Sequence, residues 1–482
     1  VQRQLNNDMH STIKNALRYL RPDYMPFSFR TVYEYQRDGA NACKPNDHHV
    51  LFRLADIFLR TWDLGFTAFG GPPVHFQILH QRFVDSKGFA PWVNDQTHHE
   101  LFAVSQALPG PASTKMLFNL VMYHAGLVCA TFGFFLWSLP GALGMFLLFI
   151  GVGKISEVLP GPIYGLLSGL NASTVGIIAL AAVQRTNEQR AAEESQENAS
   201  SIPLEDLSRP ATSSQRMATS IPAQNRPNKH ETTNTEAAER VASEAPSTQD
   251  HSYSSSVWTG IAIIILFFAS FAAILTARGV LKTPPLILDL FANMYLAGTI
   301  IFGGGPVVIP LLREYTVEPG WVSSRDFLIG LAIIQAFPGP NFNFAVYLGA
   351  LAVKSSDTTG FAGALLGFLG IFVPGLTLSV GVAGMWQVVR TKAAVASALR
   401  GINATAVGLV FTAVYRLWEI GYLTPDSGRG KSLANDPWWV VVAAITYSGS
   451  AWFKVPPAMA ILLGAVLGLG WYGVAGKRIL GL

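Results

Sequence analysis

Gln106-Ala107-Leu108-Pro109-Gly110-Pro111 and Gln335-Ala336-Phe337-Pro338-Gly339-Pro340 decide the architecture of this chain. Each hexapeptide interrupts an apolar stretch, and each begins fourteen residues after a tryptophan, Trp92 or Trp321. Upstream of the tryptophans lie two glycine clusters, Phe69-Gly70-Gly71-Pro72 and Phe302-Gly303-Gly304-Gly305-Pro306. Asp56 and Asp289 precede the cluster phenylalanines by thirteen residues, and Arg82 and Arg313 follow the clusters. Downstream, Leu139-Pro140-Gly141 answers Val373-Pro374-Gly375. Gly169-Leu170-Asn171 answers Gly401-Ile402-Asn403, and Lys282-Thr283-Pro284-Pro285 answers Lys454-Val455-Pro456-Pro457. The same landmarks in the same order mark a duplication, and a repeat has to be settled before fold.

The repeated unit is built for a membrane. Of 482 residues, 50% are hydrophobic and 13% charged, against about 25% charged in soluble domains. Leu127 to Val152, Val257 to Ala277 and Phe361 to Val389 carry no charge at all. Each can cross a hydrocarbon core of about 30 Å as a helix of roughly 20 residues. None shows the polar face of a soluble helix. The expected fold is therefore an all-α polytopic membrane protein in two homologous halves.

Composition divides the chain. Residues 1–50 are polar, mildly basic and rich in tyrosine, without the apolar core of a signal peptide, and read as a cytosolic arm. Residues 51–184 form a first membrane repeat. Residues 185–256 carry seven Lys/Arg against eleven Asp/Glu and almost no large apolar residue, which predicts a disordered linker. Residues 257–482 hold the last span of the first repeat and the whole second repeat. Five spans are expected between the two glycine-cluster helices, at 52–70, 99–126, 127–152, 163–184 and 257–279. An odd number sets the halves in opposite orientations, an inverted repeat with proline-broken or re-entrant helices.

Several functions are disfavoured. A net charge of +4 spread over short loops gives no basic patch for nucleic acid. Cys43 and Cys129 form no disulfide framework. His98-His99-Glu100 lacks the i, i+4 histidine pair of a zinc protease, and no P-loop or nucleophile elbow occurs. No catalytic residue, metal site or cofactor is expected, so the chain is not read as an enzyme.

The breaks carry the functional argument. Proline in a helix removes a backbone donor, and freed backbone at membrane depth must be buried in protein or face a water-filled cavity. After Pro109-Gly110-Pro111 and Pro338-Gly339-Pro340 a second half-helix begins, and helix starts present unpaired N–H groups and partial positive charge that suit anions. Ser113, Thr114, Asn341 and Asn343 add donors, Gln106 and Gln335 precede the breaks, and the glycine clusters allow close backbone approach to a ligand. Arg82 and Arg313 are candidate cations for the substrate. Asp56 and Asp289 are candidates for coupling. Lys115, just past the first break, has no counterpart in the second half.

FGGPPVHFQILHQRFV, SQALPGPASTKM, FGGGPVVIPLLREYTVEPGWVSSRDFL and IQAFPGPNFNFAVYLGA resemble the chromate ion transporter family in its long, two-domain form, over roughly residues 51–185 and 257–472. The resemblance implies a secondary transporter of chromate, with export and chromate resistance as the associated role. It carries site residues onto Gly70, Gly71, Pro72, Arg82, Pro109, Gly110, Pro111, Gly303, Gly304, Gly305, Pro306, Arg313, Pro338, Gly339 and Pro340. Lys115 stands where an uncharged polar residue is expected. Chromate and sulfate are both tetrahedral dianions, so sulfate is an alternative substrate, and an anion channel or a membrane sensor is the rival of another class. The expected partners are the anion and the lipid bilayer, with a homodimer allowed, and the expected location is the plasma membrane.

Overall fold

The computed structural model describes residues 28–69, 71–152, 160–200, 257–302, 305–385, 392–424, 427–476 and 478. Gly70, Gly303 and Gly304, and residues 1–27 and 201–256 of the predicted arm and linker, lie outside them. In chain order the helices of the first half are α1 (Phe29–Arg37), α2 (Val50–Thr61), the single turn α3 (Leu64–Thr67), α4 (Gly71–His80), α5 (Asp95–Ala107), α6 (Ala112–Ala125), α7 (Leu127–Val152) and α8 (Gly161–Ser200). There follow α9 (Val257–Val280), α10 (Leu286–Ile300), α11 (Gly305–Thr316), α12 (Ser324–Ala336), α13 (Phe344–Ala352), α14 (Gly360–Ala383) and α15 (Ala393–Ile420). An antiparallel hairpin, β1 (Tyr422–Thr424) and β2 (Ser427–Lys431), leads to α16 (Pro437–Trp452) and α17 (Pro457–Trp471). Helix α8 runs on to Ser200, past the start of the predicted linker at residue 185.

Among the described residues, five helical segments are long and apolar enough to cross a membrane: Leu127–Val152, Gly161–Gln184, Val257–Val280, Gly360–Ala383 and Pro457–Gly476. The chain is an integral membrane protein. The segment expected at 99–126 is two helices, α5 and α6, parted at Leu108–Pro111 where the Pro-Gly-Pro break is expected. The physical reason is local: two prolines without N–H groups flank a glycine at φ +96°, and no helix propagates through that sequence.

The halves fold alike. Asn94 caps α5 through Thr97 N, and Ser323 at the matching position caps α12 through Asp326 N. Helices α7 and α14 each carry an internal proline, Pro140 and Pro374. Such a proline leaves the carbonyl four residues earlier without its helical donor. Opposite the first freed carbonyl, Leu136 O, lies Gly65, where a Cβ would come within 2.3 Å of the oxygen. Opposite the second, Gly370 O, lies the matching Gly298, whose Cβ would come within 3.1 Å of it and 2.6 Å of Ile371 O. Small residues at these crossings let backbones touch, as helix packing in lipid favours.

At the centre the halves exchange partners. Helix α6 packs on its own α7 and also on α14, while α13 packs on its own α14 and also on α7. Such reciprocity is what a two-fold relation between halves produces. The buried core is continuous across it, with Phe118, Phe134, Trp137, Phe342, Phe344 and Phe372 from both halves.

Candidate functional site

The two Pro-Gly-Pro breaks share one backbone path. Helix α5 ends at Leu108 with φ −88° and ψ 147°, and α12 ends at Phe337 with φ −85° and ψ 149°. Gly110 and Gly339 then take φ +96° and +85°, values that glycine adopts without steric cost. After Pro111 the chain enters α6. After Pro340 it makes a 3-10 turn, Asn341–Asn343, before α13. Gly110, Pro111, Gly339 and Pro340 are all buried.

Each break docks on the other half. Gly110 N–H donates to Ile301 O at 2.7 Å, and Gly339 N–H donates to Ala68 O at 2.8 Å. Ala68 and Ile301 are equivalent positions, each immediately before its cluster phenylalanine. The proline-glycine kinks join the same exchange. A Cβ on Gly110 would sit 3.0 Å from Gly375 Cα, and one on Gly141 would sit 3.0 Å from Pro338 O. Two breaks, two cluster helices and two kinks therefore meet in one region built by both halves. Helix α6 starts there, and so does the 3-10 turn Asn341–Asn343 that leads into α13, whose own first N–H, that of Phe344, donates back to Asn341 O; the opening N–H groups of such starts have no intrahelical acceptor.

Side chains make the region unequal. In the first half His75, on α4, is fully buried between elements. Its Nε2 donates to Ala68 O at 3.1 Å, the same carbonyl that holds Gly339, and its Nδ1 lies 3.1 Å from Ser113 Oγ. Its ring meets Trp137 edge-on at 5.0 Å, and Trp137 Nε1 donates to Thr114 Oγ1 at 3.2 Å. Lys115 is 0% exposed, and its Nζ donates to the carbonyls of Leu108 and of Pro109, the latter at 2.8 Å. In the second half Asn343 Nδ2 donates to Ser138 O at 2.9 Å, and Asn341 Nδ2 reaches Gln335 Oε1 at 3.4 Å. Ser138 Oγ, Asn343 Oδ1 and Gln335 Nε2 are buried without a hydrogen-bond partner. Unpaired polar atoms of that kind mark a place built to take more than its own side chains.

The structure brings Gln106, Ser113, Thr114, Gln335, Asn341 and Asn343 to the two breaks, as their sequence positions require. Gly71 and Pro72 open α4, and Gly305 and Pro306 open α11. The arginines are engaged elsewhere. Arg82 forms a bidentate pair with Asp63, at 2.9 and 2.7 Å, and also donates to Arg60 O. Arg313, in the last turn of α11, pairs with Glu318 at 3.0 Å. Each guanidinium thus has a carboxylate partner in this structure. Asp56 is fully buried and accepts from Gln36 Nε2 at 2.7 Å, Asn46 Nδ2 at 2.7 Å and His124 Nε2 at 2.9 Å. His124 in turn stacks on Trp92. Asp289 pairs with Arg278 at 2.8 Å. The two aspartates thus have equivalent sequence positions but different partners.

His75 and Trp137 were not singled out by the motifs, because neither is repeated. The available signal was the mismatch between repeats: His75 aligns with Val308, and Lys115 with Phe344. Among the described residues no group of histidine, cysteine and acidic side chains is arranged to hold a metal ion.

The chain matches the chromate transporter family over residues 55–283 and 288–469. It is 24% identical to a protein of Synechococcus elongatus described as a probable chromate transport protein, across 90% of this chain and 98% of that one. It is 25% identical to a chromate transport protein of Pseudomonas aeruginosa, across 73% and 78%. An uncharacterised transporter of Bacillus subtilis, YwrB, matches at 27% identity over 36% of this chain and 82% of its own length, as a single repeat would. No solved structure matches the chain significantly.

Proposed function

Since the chain belongs to the chromate transporter family, we propose that it is a secondary transporter that carries chromate across the plasma membrane and holds the anion where the two Pro-Gly-Pro breaks cross. The observation that carries this reading is the exchanged pair of hydrogen bonds, Gly110 N–H to Ile301 O and Gly339 N–H to Ala68 O. A carrier needs one site that both halves grip, so that rocking one half against the other exposes it alternately. The exchange gives both halves a hold on one another at the breaks, which supports this reading. We read the halves as oppositely oriented in the membrane, which puts the shared site near the midplane.

In this account Arg82 and Arg313 are structural pairs, not substrate ligands. Asp56 and Asp289 anchor helices α2 and α10 and do not carry coupling ions. Export is the direction the electrical term favours. With the cell interior negative, a dianion gains about 4.6 kcal/mol per 100 mV on leaving, twice the value of about 2.3 for one charge. Export from the cytosol would give resistance to chromate. Sulfate has the same shape and charge, so it competes for the site.

The test is flux of radiolabelled chromate in vesicles holding the purified protein, with the potential set by a potassium gradient and sulfate added on either side. Saturable chromate flux that follows the potential and is inhibited by sulfate supports the reading. Folded protein that moves neither anion overturns it in favour of a sensor, and flux that does not saturate overturns it in favour of a channel.

A further inference from the structure

Lys115 is a buried ionisable side chain without a carboxylate partner among the described residues. It lies one turn into α6, four residues past Pro111, and is 0% exposed. Its Nζ donates to the carbonyls of Leu108 and Pro109, at the end of α5. Burying an ammonium against neutral carbonyls is costly, because desolvation removes more than such contacts return.

The fold itself supplies the control for whether that cation is structurally required. The second break follows the same path, with matching dihedrals at Leu108 and Phe337 and a positive φ at both glycines. The position equivalent to Lys115 there is Phe344, 0% exposed and apolar. The backbone course of a Pro-Gly-Pro break in this protein therefore forms without a cation. Something other than the break calls for Lys115, and an ionisable residue in the interior of a membrane bundle marks a substrate or ion pathway by default.

We propose that the Lys115 ammonium is the group that meets the charge of the transported dianion, leaving the carbonyls of Leu108 and Pro109 when the anion arrives, so that the two half-sites are unequal and the first half confers the preference for divalent anions. The inference rests on the anion-transport reading above. The crossed backbone grips the anion by shape and by helix-start N–H groups, which any tetrahedral oxyanion satisfies. A full positive charge in a dry site discriminates by valence, since its attraction scales with the charge it faces. His75 and Ser113, also of the first half, meet beside the Ala68 carbonyl that accepts from Gly339, so the polar side chains at the breaks come mainly from this half. The second half presents Val308 and Phe344 at the matching positions. Release of Leu108 and Pro109 by the departing ammonium also removes the ties that close the first break. Anion binding and loosening of that break are then one event, which gives the ligand the differential affinity for two states that a conformational change requires.

The experiment compares chromate with perrhenate, a tetrahedral monoanion, as inhibitors of radiolabelled chromate flux in vesicles holding the intact protein. The native chain is expected to prefer chromate by about tenfold or more, the size of one charge-assisted contact. Lys115→Gln is expected to weaken chromate by about ten- to a hundredfold and perrhenate by clearly less, so that the preference narrows. Lys115→Arg is expected to keep it. A merely structural role would weaken both anions alike. Equal inhibition of the native protein by the two anions overturns the inference even if no variant folds. A Lys115→Gln protein with the native preference overturns it while leaving chromate transport standing. Native protein without chromate flux overturns the transport reading and this inference together.

Discussion

Gly110→Ala probes the crossing at its tightest point. Two separate costs follow from the structure. Gly110 has φ +96°, and an L side chain in left-handed backbone costs about 1–2 kcal/mol. The added Cβ would also sit 3.0 Å from Gly375 Cα and 3.4 Å from Gly298 O, both backbone atoms that cannot swing aside. Overpacking of that kind costs about 1–3 kcal/mol. The sum, about 2–5 kcal/mol, is large against the marginal stability of a folded chain. Gly339→Ala has the same backbone strain at φ +85° but a looser contact, 3.2 Å to Trp137 O, and is expected to cost less. Gly408→Ala is the control. It lies inside α15 with open space where the Cβ would go, and alanine there is neutral or stabilising by roughly 0.5–1 kcal/mol. The assay is thermal unfolding of the purified protein in detergent, followed by chromate flux per folded molecule. The expected order of lost stability is Gly110→Ala, then Gly339→Ala, with Gly408→Ala at or above the native protein. A Gly110→Ala protein as stable and active as Gly408→Ala would show that the halves do not meet at this glycine.

Other substitutions separate structural from transport roles. Asp56→Asn replaces an acceptor of three hydrogen bonds by a group that presents its own N–H to donors, at roughly 1–3 kcal/mol for each buried group left unpaired. It should lower the melting temperature yet leave flux per folded molecule and its proton dependence unchanged, whereas loss of proton dependence in a stable protein would make Asp56 a coupling site. Arg82 and Asp63 have side chains 33% and 25% exposed, so their pair contributes no more than about 1 kcal/mol. Arg82→Ala and Asp63→Ala should behave alike and leave the KM for chromate as it is, and a raised KM in the arginine variant alone would return Arg82 to the substrate. Gly468→Leu pushes a side chain into α8, where even a Cβ would lie 2.1 Å from Gly165 O. Expression of folded protein should fall sharply, as seen by size-exclusion chromatography, and a normal yield would mean that α8 and α17 do not pack through these glycines.

The backbone of the site was legible in the sequence because proline and glycine act locally. Two prolines around a glycine end α5 and α12 whatever surrounds them, and equal spacing from Trp92 and Trp321 predicts equal breaks. What spacing does not encode is which half each break touches. Gly110 meets Ile301 across 191 residues, and Gly339 meets Ala68 across 271, contacts that only tertiary packing creates. Charge partners are hidden for a related reason. Arg82 and Arg313 recur at similar positions, and only the folded chain sets a carboxylate beside each, Asp63 and Glu318. His75 breaks the repeat and a motif defined by repetition passes over it, whereas Lys115 stands out in the sequence as a cation without a counterpart. Their burial, visible only in the folded chain, gives them their meaning.

The central claim is that both halves build one anion site, and the binding stoichiometry of chromate tests it most directly. Titration calorimetry on the purified, full-length protein in detergent should give one saturable site per chain, lost or weakened when either Gly110 or Gly339 is changed to alanine. Two equivalent sites per chain, or one site untouched by Gly339→Ala, would place an anion in each half separately and contradict the account.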